Sequence, residues 1–314
     1  MKIGFIGIGK IAAAVVEGLC TSEAEGLRLF LSPRNESLST SLAGRFPGVT
    51  RCSDNQEVVD RSEVVIIAVR PPVAAEVLGA LRFREDHTVI SLVALLSYDG
   101  LRRLIAPAST VCRAIPLPTV VQHNCPIPVY GECEVATRLF GYLGEPLQVD
   151  DEQQLHALWT LTGLITPYYE LLSGLSGWTI AHGVPKETAN AYVVNLFQSL
   201  SYLAQQTAPV DFVALAHHAA TPGGINEQAG KEIAEKGAHA VWKAAADRVL
   251  LRFWVRRRIK AGYEQSMYRK RTSPGRCSRS NDLINNHSGV WHRDGNNPLP
   301  ICCADARHNS TYTF

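Results

Sequence analysis

Gly7, Gly9 and Ala12 stand at the spacing Gly-x-Gly-x-x-Ala inside MKIGFIGIGKIAAAVVEGL, the first nineteen residues of a 314-residue chain. Small residues at that spacing let a backbone turn tightly and come close to a phosphate. The setting fits. Lys2–Ile6 is a short apolar run that reads as a buried parallel strand, and a helical pattern begins just after Gly9. Gly7 permits the tight turn, Gly9 opens room for a pyrophosphate, and Ala12 lets the helix lie close on the strand. Lys10, Ile11 and Ala12 then offer the N–H groups of a helix start, where the dipole favours negative charge. The stretch predicts dinucleotide binding. A plain βα turn is the alternative reading. Lys10 and Glu17 interrupt the apolar run and argue against a signal peptide.

Two further strand ends would complete such a site. Leu27–Leu31 reads as the second strand. A protein selecting NAD usually places an acid at its end to bind the ribose hydroxyls. Here the chain reads Ser32-Pro33-Arg34-Asn35. The planar fork of Arg34 suits a 2′-phosphate, and Ser32 and Asn35 can add hydrogen bonds, so NADP(H) is favoured over NAD(H). A solvated loop arginine is the plainer alternative. Glu63–Val69 is a β-branched run, as expected of a strand buried on both faces. It ends at Ala68-Val69-Arg70-Pro71-Pro72, the carboxyl end where open α/β sheets bind ligands. Ala68, Val69, Arg70 and Pro71 join the expected cofactor site on that ground.

A second informative stretch is Thr221-Pro222-Gly223-Gly224-Ile225-Asn226-Glu227, placed directly before a helical pattern over Asn226–Phe253. It reads either as a helix–helix turn with an Asn cap or as a cradle in which a carboxylate reaches helix-start N–H groups.

The intervening elements must position these residues. Val73–Leu81, Tyr98–Ile105 and Glu134–Leu143 read as helices, and Glu57–Arg61 as the end of one. Thr88–Val93, Thr110–Ile115 and Pro146–Val149 read as strands. The alternation predicts an α/β fold, a doubly wound parallel sheet of Rossmann type. Pro116-Leu117-Pro118 and Pro126-Ile127-Pro128 suggest irregular crossings with short strands. From Asp150 onward the texture is helical, over Asp151–Glu170, Leu171–His182, Lys186–Gln206 and Val210–Ala220, with Asp150 or Asp151 as the first N-cap. The expected domains are 1–150 for the dinucleotide, 151–254 as an all-helical unit, and 255–314 as a tail. Several of the helices are apolar over much of their circumference, which predicts a homodimer or larger homo-oligomer.

Composition bounds the rest. An apolar share of 46% with 19% charged residues fits an ordinary globular protein, and no apolar run is long enough to span a membrane. Residues 255–314 hold 11 basic and 4 acidic side chains, so the tail carries +7 and the body −5. An acidic body does not read as a nucleic-acid binder. The tail, rich in Ser, Asn, Arg and Gly, reads as a disordered basic extension foreign to the rest. Eight scattered cysteines, with no CxxC pair, read as reduced thiols of a cytoplasmic protein. No metal site is expected. His217 and His218 are adjacent on a helix and point to different faces.

The chain resembles the pyrroline-5-carboxylate reductase family over about residues 1–254. The resemblance is carried by GFIGIGKIAAA, AVRPP at 68–72, CRAIP at 112–116 and TPGGINEQAG at 221–230, in the family's order and spacing. It implies an NAD(P)H-dependent reductase of a cyclic imine acid, with a Rossmann domain, a helical dimerisation domain and an active site between protomers. The substrate implied is 1-pyrroline-5-carboxylate, reduced to L-proline. Thr221, Gly223 and Gly224 would hold the substrate carboxylate, and Asn226 would take the place of a threonine near the ring nitrogen. The departures fall beside that site. Leu117 replaces the family's Asn, Ile225 and Asn226 replace its paired threonines, and Gly163–Tyr169 replaces SGSGPAY. Hydride transfer to an iminium carbon needs neither metal nor covalent nucleophile, and placement of donor and acceptor carries the catalysis. A different imine or a hydroxy acid on the same fold, and a cofactor-binding sensor without turnover, stay open.

Overall fold

The computed structural model describes residues 1–207 and 209–253; the expected tail at 255–314 lies outside them. Eight strands form one sheet in the order β3-β2-β1-β4-β5-β6-β7-β8. They are β1 (Lys2–Ile6), β2 (Arg28–Leu31), β3 (Val49–Arg51), β4 (Val64–Ile67), β5 (Thr88–Ser91), β6 (Thr110–Ala114), β7 (Cys125–Tyr130) and β8 (Gly144–Val149). All neighbours pair in parallel except β6 and β7. The intervening helices are α1 (Lys10–Thr21), α2 (Glu36–Arg45), α3 (Asn55–Asp60), α4 (Ala74–Gly79), α5 (Tyr98–Ile105) and α6 (Glu134–Gly141).

The inner strands are apolar at every position because both faces are covered. Val64 and Ile66 of β4 join Ile3, Phe5, Val15 and Phe140 on one face. Val65 and Ile67 join Ile6, Val58, Leu78 and Leu101 on the other. This is the expected doubly wound Rossmann sheet.

Two stretches refine the expectation. Glu36–Arg45 forms α2 although its Ser- and Thr-rich sequence carries a weak apolar period, and it buries only Ser39 and Leu42. Pro126-Ile127-Pro128, expected in an irregular crossing with short strands, lies within the regular six-residue strand β7. The register explains the tolerance. The Ile115 amide donates to the Pro128 carbonyl, so the prolines face β6. On that side the ladder comprises only Arg113–Tyr130 and Ala114–Val129, while six residues pair with β8. The missing N–H groups fall where few partners exist.

Beyond β8 the described residues are helical: α7 (Glu152–Leu161), α8 (Ile165–Ala181), α9 (Lys186–Gln206), α10 (Phe212–Ala219), α11 (Ile225–Glu235) and residues 238–253. Asp151 caps α7, accepting from the amides of Gln153 and Gln154 at 2.7 and 2.8 Å. Two expected helix limits shift. The first break falls at 162–164 rather than after Glu170, which leaves Pro167 in the first turn of α8, where proline is tolerated. The expected helix over Asn226–Phe253 divides at Lys236-Gly237, with Gly237 at φ +71°. That left-handed conformation suits glycine and ends α11. Helices α8 and α9, of 17 and 21 residues, bury only Ser176, Ala189 and Val193 between them. Trp178, Tyr192, Phe212 and Val213 are all exposed. No helix among the described residues is long and apolar enough to cross a membrane.

His87, at the amino end of β5, is fully buried and accepts the Arg84 amide at Nδ1. Burial, reinforced by the Arg84 charge, lowers its pKa from the usual 6.5. The unfolded chain therefore binds more protons below that pH. The stability contributed by neutral His87 is full above about pH 6.5 and falls as the pH drops through 6.5 towards the lower folded value. His87→Gln is expected to flatten the acid limb of Tm below about pH 6.5. A scanning-calorimetry series that shows unchanged slopes overturns this.

Candidate functional site

The loop between β1 and α1 lies at the carboxyl edge of the sheet. Gly7 has φ +94°, and its amide donates to Ser32 Oγ at 2.8 Å. A Cβ on Gly7 would lie 2.8 Å from Val69 Cγ1 and 3.0 Å from the Ala68 carbonyl carbon and oxygen. The loop is thus pressed against the end of β4, which requires glycine. Gly9 differs. It is the exposed N-cap of α1 with an ordinary extended backbone, and a Cβ there would meet nothing within 4 Å. No side chain caps α1, and no acidic residue lies in its first turn. The helix start is open on the side where glycine would admit a phosphate, so the residues fit a dinucleotide pyrophosphate. Ala12 is buried against the strand, and Lys10 is exposed at the helix start.

The strand ends gather as expected, with a division of labour the sequence does not reveal. Ser32 is buried and its hydroxyl is engaged by the Gly7 amide. Asn35 Nδ2 donates to the Ile8 carbonyl at 2.8 Å. Both therefore hold the Gly-rich loop to the end of β2, and Arg34 is the exposed side chain presented beside them. Ala68 and Val69 border Gly7. Arg70 is exposed and precedes a 3-10 turn over Pro71–Val73. Gly7, Gly9, Ile11, Ala12, Ser32, Asn35, Ala68 and Val69 thus share one edge of the sheet.

The second stretch is a tight turn sealed on itself. The Gly224 amide donates to the Thr221 carbonyl at 2.8 Å, and the Gly223 amide donates to Glu227 Oε2 at 2.7 Å. Gly223 has φ +73°. Glu227 is held below the usual carboxylate range by Lys231 first and then by the Gly223 amide. The two glycine amides expected to meet a carboxylate are therefore engaged inside the turn. The first-turn amides of α11, which lack intrahelical acceptors, are the donors this helix start presents. Gly224, not Asn226, is the N-cap; Asn226 donates through Nδ2 to the Ala219 carbonyl at 3.1 Å and has a second N–H to offer. The bonds described for this segment run within residues 219–231, and Thr221 is exposed. Within one chain, these bonds do not join the turn to the Gly-rich loop.

A charged cluster near the same sheet edge is absent from the sequence-based expectation. Arg113 of β6 is fully buried. Its Nη1 donates to Glu152 Oε1 at 2.5 Å and lies 3.2 Å from His156 Nε2, and its Nη2 donates to the Val93 carbonyl at 3.3 Å. The guanidinium carbon stands 5.4 Å from the Trp159 ring centroid. The available signal was an arginine inside the otherwise apolar strand sequence of β6.

A surface cavity of about 1190 Å³ lies between α5 and α6, lined by Arg102, Thr110, Tyr130, Cys133 and Arg138 among others. None of the expected site residues borders it. It marks the stretch of β6 that β7 leaves unpaired. No cluster of three or more metal-ligating side chains exists among the described residues.

Two family models match the chain in tandem. One, described as NADP oxidoreductase coenzyme F420-dependent, matches residues 2–95. The other, pyrroline-5-carboxylate reductase dimerisation, matches residues 152–253. The pyrroline-5-carboxylate reductase of Pseudomonas aeruginosa is 24% identical over 256 residues, covering 78% of this chain and 92% of that protein. Pyrroline-5-carboxylate reductase 3 of Xenopus laevis is 24% identical over 250 residues, covering 76% and 90%. Among solved structures, the 1-pyrroline-5-carboxylate reductase of Streptococcus pyogenes superposes with a TM-score of 0.70 at 20% identity, over 81% of this chain and 98% of that one. The Plasmodium falciparum pyrroline carboxylate reductase with NADP bound gives 0.67 at 17% identity, over 81% and 97%. The nucleotide-type loop, the helical half that follows it and relatives aligned along nearly their whole length agree, and the chain belongs to the pyrroline-5-carboxylate reductase family.

Proposed function

We propose that the protein is an NAD(P)H-dependent reductase of 1-pyrroline-5-carboxylate, yielding L-proline. The observation that carries this is the tandem itself: an open Gly7–Gly9 cradle on the sheet, followed in one chain by a segment matching the family's dimerisation model. Residues 1–150 form the nucleotide domain and 151–254 the helical one. The exposed apolar faces of α8 to α10 support a homodimer as the working unit, and free thiols such as Cys20, Cys52 and Cys112 suit the cytoplasm.

When bound, a reduced nicotinamide supplies the hydride. The chain's own residues bind and orient. The Gly7–Gly9 loop and the start of α1 hold the pyrophosphate, and Arg34 pairs with a 2′-phosphate. Thr221 and the first-turn amides of α11, from the partner protomer, hold the substrate carboxylate. Asn226 offers its second N–H near the ring nitrogen. The proton on that nitrogen comes with the substrate or from solvent, because an amide is a poor acid.

The test is NADPH oxidation by the full chain with pyrroline-5-carboxylate, with proline measured as product. A protein that binds neither pyridine nucleotide sinks the proposal. A related cyclic imine is the second reading, favoured by Ile225, which is 83% exposed where the family carries threonine. Arg34→Ala is expected to weaken NADPH about tenfold or more while leaving NADH affinity nearly unchanged, since only the 2′-phosphate loses its partner. Equal losses for both nucleotides in a fluorescence titration refute that role.

A further inference from the structure

Residues 92–97 connect β5 to α5 at the carboxyl edge of the sheet, one strand beyond the Ala68–Pro71 segment. On the proposed function, the nucleotide cleft runs along this edge from the end of β2, beside Arg34, across β1 and β4. Loop 92–97 therefore flanks its far, nicotinamide end. Leu95 in this loop has φ +66°, a left-handed conformation that branched and bulky side chains rarely adopt. Something must hold it there.

Both sides of Leu95 are gripped by one ion pair. Arg113 Nη2 donates to the Val93 carbonyl at 3.3 Å, two residues before Leu95. Glu152 Oε1 accepts from Arg113 Nη1 at 2.5 Å and also from the Tyr98 amide at 2.6 Å, three residues after Leu95. A single carboxylate oxygen thus joins β6, the start of α5 and the start of α7. The guanidinium is fully buried, with His156 Nε2 at 3.2 Å and the Trp159 ring beside it. A buried charge pair is costly to desolvate and is weak as a source of stability alone, so its geometric reach is the more informative property.

We infer that Arg113 and Glu152 are positioning residues, a clamp that keeps loop 92–97 in its strained form beside the nicotinamide end of the cleft and ties it to the helical half. This rests on the reading of that cleft as a nicotinamide site. Lysine cannot reproduce the two-pronged grip of Arg113 on both Glu152 and Val93.

The experiment compares Arg113→Lys and Glu152→Gln, each with and without Leu95→Gly, by steady-state kinetics and by amide hydrogen exchange of residues 92–97. Glycine adopts the left-handed form freely, so it should restore the loop without the clamp. Each single clamp variant is expected to lose about tenfold or more in kcat, with the KM for the imine changed less than about twofold, because misplacement of reacting groups acts on the chemical step. Exchange of the loop amides should accelerate, and adding Leu95→Gly should recover most of both. Unchanged loop exchange in both clamp variants overturns the inference, as does a loss that Leu95→Gly does not repair. If the wild type turns over no imine, the functional reading fails, and the exchange pattern with its rescue still decides the clamp.

Discussion

Gly9→Ala is expected to leave Tm unchanged or slightly raised while nucleotide affinity falls about tenfold or more, and Gly7→Ala to lower both. The two glycines sit two residues apart, yet their backbones ask for different things. Gly9 has an ordinary extended conformation and open space where a Cβ would stand. Alanine there strains nothing and restricts the unfolded chain, an effect of about 0.4–1 kcal/mol in favour of folding. The methyl group projects where a pyrophosphate would lie, so the loss appears only on binding. Gly7 has φ +94°, and a Cβ there would stand 3.0 Å from the Ala68 backbone, which cannot rotate away. The left-handed cost and the overpacking together come to about 2–4 kcal/mol. Isothermal titration with NADPH alongside thermal melts separates the two cases. A Gly9→Ala protein that binds NADPH as tightly as the wild type removes the phosphate cradle from this loop.

Glu152→Ala is expected to cost about 3–5 kcal/mol, because it takes the carboxylate away from a guanidinium that is wholly out of water. Burial alone would push the Glu152 carboxyl up, but Arg113 and the Tyr98 amide outweigh it and the net direction is down. With its folded pKa lowered, the carboxylate contributes stability above its unfolded value near 4.5, and this is lost as the pH falls through the folded value. A double replacement, Arg113→Met with Glu152→Leu, removes both charges and should be less destabilising than Glu152→Ala alone. Urea unfolding of the wild type, Glu152→Ala and the double variant compares the three midpoints directly. If Glu152→Ala and the double variant unfold at the same midpoint, charge burial is not what the pair is about.

The nucleotide half was legible because parallel strands buried on both faces must be apolar at every position. Val64–Ile67 announces itself in that way, and the limits of α5 follow from Ser97 accepting the Gly100 amide. The polar helix α2 and the proline-bearing strand β7 were not legible. Their stability comes from register and packing with distant neighbours rather than from local pattern. The helical half read as helix throughout, but its breaks at 162–164 and 236–237 sit inside continuous periodicity. In the candidate site, the spacing of Gly7 and Gly9 pointed to a tight loop at the end of β1, whereas the bonds by which Ser32 and Asn35 hold that loop leave no trace in the local pattern. The Arg113–Glu152 pair spans 39 residues of sequence, and no local motif encodes such a distance.

Helices α8 and α9 are long and well formed, yet only three of their residues are hidden from water in one protomer. Association with another copy is then part of what keeps the fold, so melting temperature must rise with protein concentration by mass action. Dilution would act as a denaturant, and specific activity measured at nanomolar enzyme would underestimate that of concentrated stock.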